Sequence, residues 1–280
     1  MNIGAIIQAR STSTRLPQKV LKELPYGSGI TVLEQVIRRA KKSSYLDKII
    51  IASTVNKEDD RIIKIAEKEG VLYFRGSEKN VLSRYYHAAS ENSLGVVVRI
   101  TSDCPCIDMQ IVDHLIDIHL KSNVDYTSNS LKRSYPHGLD AEVFSFEVLK
   151  KAFEEAEEDY EKEHVTPYIY RTGKFRVQNI DAPEDFNRPD IRITLDTAED
   201  YATLCAVYDF LYYKNPFFST ADLIGLFNQK PWLKYINEKI VQKEIFNNLA
   251  EELKEAVKIL DLQDLQRACN FLDDLLKRGL

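Results

Sequence analysis

Short apolar runs alternate with longer amphipathic stretches along most of this chain, and that alternation restricts its folding options more than any other feature. The runs at 3–7, 48–53, 71–74, 95–100, 124–127, 139–144, 175–180 and 191–195 read as strands. Helical periodicity covers 31–42, 58–69, 81–91, 109–121, 146–157 and 198–213. Strands joined through helices pair in parallel, with the helices covering both faces of the sheet. The expected fold is therefore α/β, a doubly wound, mostly parallel sheet. Such sheets bind ligands beyond the C-terminal ends of their strands, where the strand order reverses. The polar residues of interest follow the first, second and fourth runs.

The pattern stops near Thr220, and only helical signals continue from there. Residues 241–280 read as two amphipathic helices, one striped by Ile245, Leu249, Leu253, Ala256, Val257 and Leu260. The other carries Leu265, Ala268, Cys269, Leu272, Leu275 and Leu276, with Asp261 as its expected cap. This divides the chain into a main domain, 1–240, and a helical tail, 241–280. The tail is either a hairpin packed on that domain or a contact for a homo-oligomer.

Composition removes several function classes. A formal net charge of -5, with eight acidic and six basic residues in the tail, argues against a nucleic-acid partner. No apolar run approaches the roughly 18 residues that a membrane span needs. The N-terminus shows no basic segment or cleavage site, so a cytoplasmic protein is expected. Cys104, Cys106, Cys205 and Cys269 form no Cys-x-x-Cys pair, which suggests reduced thiols rather than a zinc site or a disulfide framework.

The first strand runs into Gln8-Ala9-Arg10-Ser11-Thr12-Ser13-Thr14-Arg15-Leu16-Pro17-Gln18-Lys19. Three fixed cations, Arg10, Arg15 and Lys19, lie here, and hydroxyl residues separate the first two. Between Gln8 and Lys42 there are eight basic and two acidic residues, although the whole chain is acidic. Guanidinium forks, an ammonium and loop N–H groups together suit a polyphosphate. The Gly-rich run and Gly-Lys-Ser/Thr ending of a P-loop are missing.

This loop resembles the start of the cytidylyltransferases that make CMP-activated acidic sugars. The similarity is greatest to the spore coat polysaccharide cytidylyltransferase-like branch. Further matching blocks follow in order: Phe74-Arg75-Gly76-Ser77, Asn80 to Tyr86, Arg99 to Pro105, Pro136 to Ser145, Glu163 to Tyr168 and Arg192 to Thr197. The resemblance covers roughly residues 1 to 240. It implies a nucleotide-diphospho-sugar transferase-like fold that uses CTP and Mg2+, with Arg10, Arg15, Lys19 and Asp103 as catalytic residues. It also implies nucleotide contacts from Gln8, Ala9, Ser11 and Ser102, and base recognition by Ser53, Thr54 and Asn56. Arg75 and Arg84 are either phosphate contacts or structural ion pairs.

Asp103 and Asp196 each follow an apolar strand-like run. Either is a helix cap by position, or the two together hold magnesium, which favours one or two carboxylates plus phosphates and water. The resemblance implies the metal. Asp108 is the expected cap of its own helix. His137, Asp140, Glu142 and His164 fall in blocks that look like the acceptor side. Strand alternation would place Asp140 and Glu142 on one face, facing a hydroxylated substrate or a second metal. The expected reaction is attack by an anionic small molecule, a sugar acid or phosphorylated metabolite, on the α-phosphorus of CTP, releasing pyrophosphate. Alternatives from other classes are a nucleotide-sugar-dependent glycosyltransferase and a non-catalytic module. The first usually carries an Asp-x-Asp pair, and here the run is Asp103-Cys104-Pro105.

Overall fold

A computed structural model describes residues 2–240 and 249–277. Seven strands form one sheet: β1 (Ile3–Gln8), β2 (Lys48–Thr54), β3 (Leu72–Gly76), β4 (Val96–Thr101), β5 (Tyr126–Ser128), β6 (Glu142–Ser145) and β7 (Val177–Asn179). Their order is β3-β2-β1-β4-β6-β5-β7. Strands β1 to β4 pair in parallel, β6 runs antiparallel to both β4 and β5, and β7 is parallel to β5. The doubly wound, mostly parallel sheet is therefore present.

Alternate strand residues supply two separate cores, as the period of two requires. Ala5, Ile7, Ile51, Val96, Val98 and Ile100 face one layer, formed with α1 (Val32–Ala40), α2 (Asp60–Lys68), α4 (Met109–Lys121), α8 (Ala198–Leu211) and α9 (Thr220–Gln229). Ile6, Ile50, Ala52, Val97 and Phe144 face the other, formed with α3 (Val81–Glu91), α5 (Phe146–Glu155) and α7 (Pro167–Arg171). The short α6 (Asp159–His164) precedes α7. From β1 the order steps to β2 on one side and to β4 on the other, so the sheet switches direction between β1 and β4. The loops after these two strands carry Arg10 to Lys19 and Asp103.

One expected strand is not in the sheet. Residues 191–195 are extended but make only an isolated bridge, His137 to Arg192. Their backbone bonds go to loops: His137 N–H donates to Ile191 O, Ile193 N–H to His137 O, and Leu195 N–H to Asp103 O at 2.9 Å. The apolar alternation is real, because Ile191, Ile193 and Leu195 are fully buried. It serves to lay Asp196 beside the Asp103 loop. Close approach is needed here. Gly138 has φ +114, and a Cβ there would meet the Ile193 and Thr194 backbone at 2.8 Å, so only glycine fits.

The chain divides into two compact units, Met1–Ile236 and Asn237–Leu280. The second contains α10 (Leu249–Leu262) and α11 (Gln266–Lys277). Asp261 does not cap α11; it lies within α10 and accepts a hydrogen bond from Gln266 Nε2. Ile245, expected in the first tail stripe, falls outside the described residues. Among the described residues, no helix is long and apolar enough to cross a membrane.

Candidate active site

The loop after β1 is built around Ser11. Its carbonyl accepts the N–H groups of Ser13 and Gln18, both at 3.0 Å, which closes the segment between them. Gln18 adopts the left-handed conformation, φ 55, uncommon for a residue with a side chain. The chain then enters a single 3-10 turn, Lys19–Leu21, anchored by buried Val20 and Leu21.

Lys19 Nζ donates to Asp103 Oδ2 at 2.6 Å and to Asp196 Oδ1 at 2.9 Å. The first carboxylate follows β4, the second follows the 191–195 segment, and one ammonium joins them. Arg15 reaches the same Asp196 oxygen at 3.0 Å, and Arg192 reaches its Oδ2 at 3.0 Å. Burial opposes the Lys19 charge, but Asp103 and then Asp196 outweigh it and raise its pKa. Burial likewise opposes the Asp103 charge, yet Lys19 holds its carboxyl well below the usual range. Neither aspartate is a helix cap. Asp108 caps α4 by accepting Gln110 N–H, and Thr197 caps α8 by accepting Asp200 N–H.

On the expected nucleotide side, several groups are turned inward. Ser53 Oγ donates to Ala9 O, and the Thr54 hydroxyl donates to Asp59. Both residues are fully buried, so their hydroxyls hold the loop and do not face a base. The Asn56 amide donates to Glu78. Arg75 bonds the carbonyls of Thr54 and Asn56 and pairs with Asp60 at 2.8 Å, the structural alternative of the two expected for it. Arg84 forms no ion pair among the described residues, so the structural alternative does not hold for it. It is 2% exposed, donates from Nη1 to Ala52 O, and leaves Nε without an acceptor. Gln8 Oε1 and Ser11 Oγ are also buried and unbonded. Ser102 is buried beside Asp103. Arg10 is half-exposed and lies 3.9 Å from Glu163 of α6, at a cavity of about 300 Å³ that Lys79, Asn80, Asp159 and Lys162 also line.

On the expected acceptor side, Asp140 precedes β6 and takes a bidentate contact from Arg133 at 2.6 and 3.0 Å. Glu142 is a correction. The β6 register sets it opposite Arg99 of β4. There it is buried, paired with Arg99 and bonded by the Tyr126 hydroxyl at 2.9 Å. Asp140 lies before β6, so the strand alternation expected to place the two carboxylates on one face does not extend to it. His137 Nδ1 lies 3.1 Å from Arg192 Nη1, which can only donate, so the ring is neutral with its proton on Nε2. Burial, with Arg133 and Arg192 adding to it against Asp140, pushes the His137 pKa down to about 4. His164 ends α6, Val165 after it is buried at φ 74, and α7 starts at Pro167 just beyond.

Three further polar groups of this region were not singled out individually from the sequence: Asp59, Arg192 and Asp200. Arg192 is the polar member between Ile191 and Ile193, and Asp200 lies one helical turn after Asp196. That spacing was the available signal, since Arg192 bridges Asp196 and Asp200. Asp59 gave none, because it sits in an ordinary charged run at a helix start.

Comparisons with known proteins agree on one class. A family model described as cytidylyltransferase matches residues 4–243. An uncharacterised protein of Methanocaldococcus jannaschii is 40% identical over 244 residues, covering 87% of this chain and 97% of its own length. The spore coat polysaccharide biosynthesis protein SpsF of Bacillus subtilis is 36% identical over 232 residues, 81% of this chain and 94% of that protein. A solved cytidylyltransferase from Leptospira borgpetersenii superposes with a TM-score of 0.77 at 33% identity, covering 88% of this chain and all of that one.

Proposed function

Since this chain belongs to the cytidylyltransferase family, we propose that it transfers CMP from CTP to an anionic small molecule, a sugar acid or phosphorylated metabolite, and releases pyrophosphate. The observation that carries this reading is the convergence of Asp103 and Asp196 on one cation position, that of Lys19 Nζ. Both carboxylates lie beside the cationic loop, where a polyphosphate would be neutralised.

The donor set fits Mg2+. Two carboxylates reach a common point, and among the described residues no cluster of three His, Cys, Asp or Glu ligands forms. Magnesium is held in this way, by one or two carboxylates with substrate phosphates and water completing the shell. When bound there, Mg2+ would neutralise the phosphates and the acceptor oxygen together. Lys19 and Arg15 would then exchange their aspartate contacts for phosphate oxygens and stabilise charge on the departing pyrophosphate. Arg192 keeps Asp196 oriented from the side of Asp200. A carboxylate or phosphate acceptor is already ionised at neutral pH and needs no general base. His137, neutral and already accepting from Arg192, suits an orienting role. The similarity to the Bacillus subtilis spore coat protein supports a place in surface polysaccharide or glycoconjugate biosynthesis.

The test is pyrophosphate release from CTP against a panel of sugar acids and phosphorylated metabolites, with and without chelator. Wild type should turn over only with Mg2+. Asp103→Asn and Asp196→Asn should stay folded and lose about 100-fold or more, as for other preorganised charge contacts. Activity that survives chelation, or Asn variants of ordinary rate, would refute the metal site.

A further inference from the structure

At the start of α2, Lys57-Glu58-Asp59-Asp60 looks like a solvated charge run, yet Asp59 is 1% exposed. A buried carboxylate is costly unless its oxygens are bonded. No Lys, Arg or His side chain pairs with Asp59 among the described residues. Its Oδ1 accepts the Ser11 backbone N–H at 2.7 Å, and its Oδ2 accepts the Thr54 hydroxyl at 2.5 Å. Thr54 Oγ1 in turn accepts Asn56 N–H at 3.1 Å. The carboxylate therefore fastens the cationic loop to the end of β2.

Ser11 is the residue through which that loop is organised. Its N–H is held by Asp59, while its carbonyl closes the loop onto Gln18, the residue before Lys19. Glu78 adds an exposed tether to the next residue, accepting the Thr12 hydroxyl at 2.7 Å. We propose that Asp59 is a positioning residue: by fixing Ser11 it sets Arg15 and Lys19 in register for the polyphosphate of CTP. This rests on the CTP reading above. It predicts a defect confined to ligands with a polyphosphate, since CMP engages the loop less.

Asp47 is the matched control. Its Oδ2 accepts the Ile3 N–H at 2.8 Å, the same kind of bond at the opposite end of β1. Binding of CTP and of CMP is titrated calorimetrically with Mg2+ for wild type and for Asp59→Ala, Asp59→Asn and Asp47→Ala, with thermal melts alongside. Asp59→Ala should weaken CTP about tenfold or more, the scale of a lost charge-assisted bond, and CMP by less than about threefold. Asp59→Asn, which can accept from Ser11 and donate to Thr54, should recover CTP affinity to within about threefold. Asp47→Ala should change neither ligand. CTP binding unchanged in Asp59→Ala, equal weakening of CTP and CMP, or the same selective loss in Asp47→Ala would each overturn the proposal. Should Asp59→Ala not fold, Asp59→Glu supplies the same readout, because it moves the oxygens by one methylene; an unchanged CTP-to-CMP ratio there is equally fatal. Wild type that binds no CTP would instead overturn the nucleotide reading, and this inference with it.

Discussion

Around the ends of β1 and β2, Gln8, Ser11 and, on α3, Arg84 keep buried polar atoms without partners, as do Arg39, Arg99 and Gln178 elsewhere among the described residues. Past β4 and β6 the charges pair off: Arg99 with Glu142, Arg133 with Asp140, Arg192 with Asp196 and Asp200. Buried polar groups are nearly always bonded, so three exceptions that neighbour one another, Gln8, Ser11 and Arg84, call for an explanation. Here they lie beside the cationic loop, where a nucleotide would supply the missing partners. The paired region has little uncompensated charge to offer. Under the proposed function, an acceptor binding there would exchange contacts that already exist. The two regions should therefore respond to substitution in opposite ways.

The largest contrast is expected at Arg99. Removing one member of a buried pair leaves the other charge uncompensated, at about 3–5 kcal/mol. Arg99→Met would leave Glu142 with the Tyr126 hydroxyl. Thermal or urea unfolding should register that loss, while CTP affinity of the folded fraction stays unchanged. A stable variant with weakened CTP binding would break the comparison, placing Arg99 with the nucleotide-facing group.

Legibility in the sequence differs between the same two regions. Helices at 81–91 and 109–121 were expected with the bounds that α3 and α4 show. The parallel strands β1, β2 and β4 are buried on both faces, which leaves long apolar runs to read. Strands β5, β6 and β7 have only three or four residues each, too few for a period of two to declare itself. So Asp140 was assigned to a strand that begins after it, and the 191–195 segment passed for a strand. Among site residues, Arg15, Lys19, Asp103 and Asp196 could be marked individually because each follows a strand-like run. That one ammonium joins both aspartates is tertiary geometry over sequence separations of 84 and 177 residues, which no local pattern encodes. The burial of Arg84 and Asp59 is hidden for a similar reason, since charge on a helix or at its start normally means solvent.

A second contrast lies in acid. His137 titrates near 4 in the folded chain, against about 6.5 unfolded. Below pH 6.5 the unfolded state therefore binds the extra proton, and stability falls as pH drops toward 4; above 6.5 the term vanishes. The shift corresponds to a loss on the order of 2–3 kcal/mol across that window. His137→Gln keeps an acceptor for Arg192 but does not titrate, so its melting temperature should decline less between pH 6.5 and 4. An identical acid limb in both proteins would show that His137 is not held neutral by Arg133, Arg192 and burial.

The smallest effect is also the sharpest discriminator, because two readouts should move apart. Arg84 is buried without a carboxylate; burial, reinforced by Arg10, depresses its pKa. One carbonyl, Ala52 O at 3.1 Å, accepts from Nη1, and Nε has no acceptor. A group in that state contributes little to folding, and its stem packs closely enough that a Cβ at Gly76 would lie 2.9 Å from Arg84 Cγ. Arg84→Met retains most of the stem and removes the charge. Replacing a buried charge with an apolar group is often neutral or stabilising, so the variant should melt within about 1 kcal/mol of wild type. CTP should nonetheless bind about tenfold more weakly, because a charge-assisted contact is lost on binding. Urea unfolding and CTP titration on the same preparations give both numbers. If Arg84→Met loses several kcal/mol of stability and binds CTP normally, Arg84 is a structural residue like Arg99. The contrast between the two ends of the site would then rest on Gln8 and Ser11 alone.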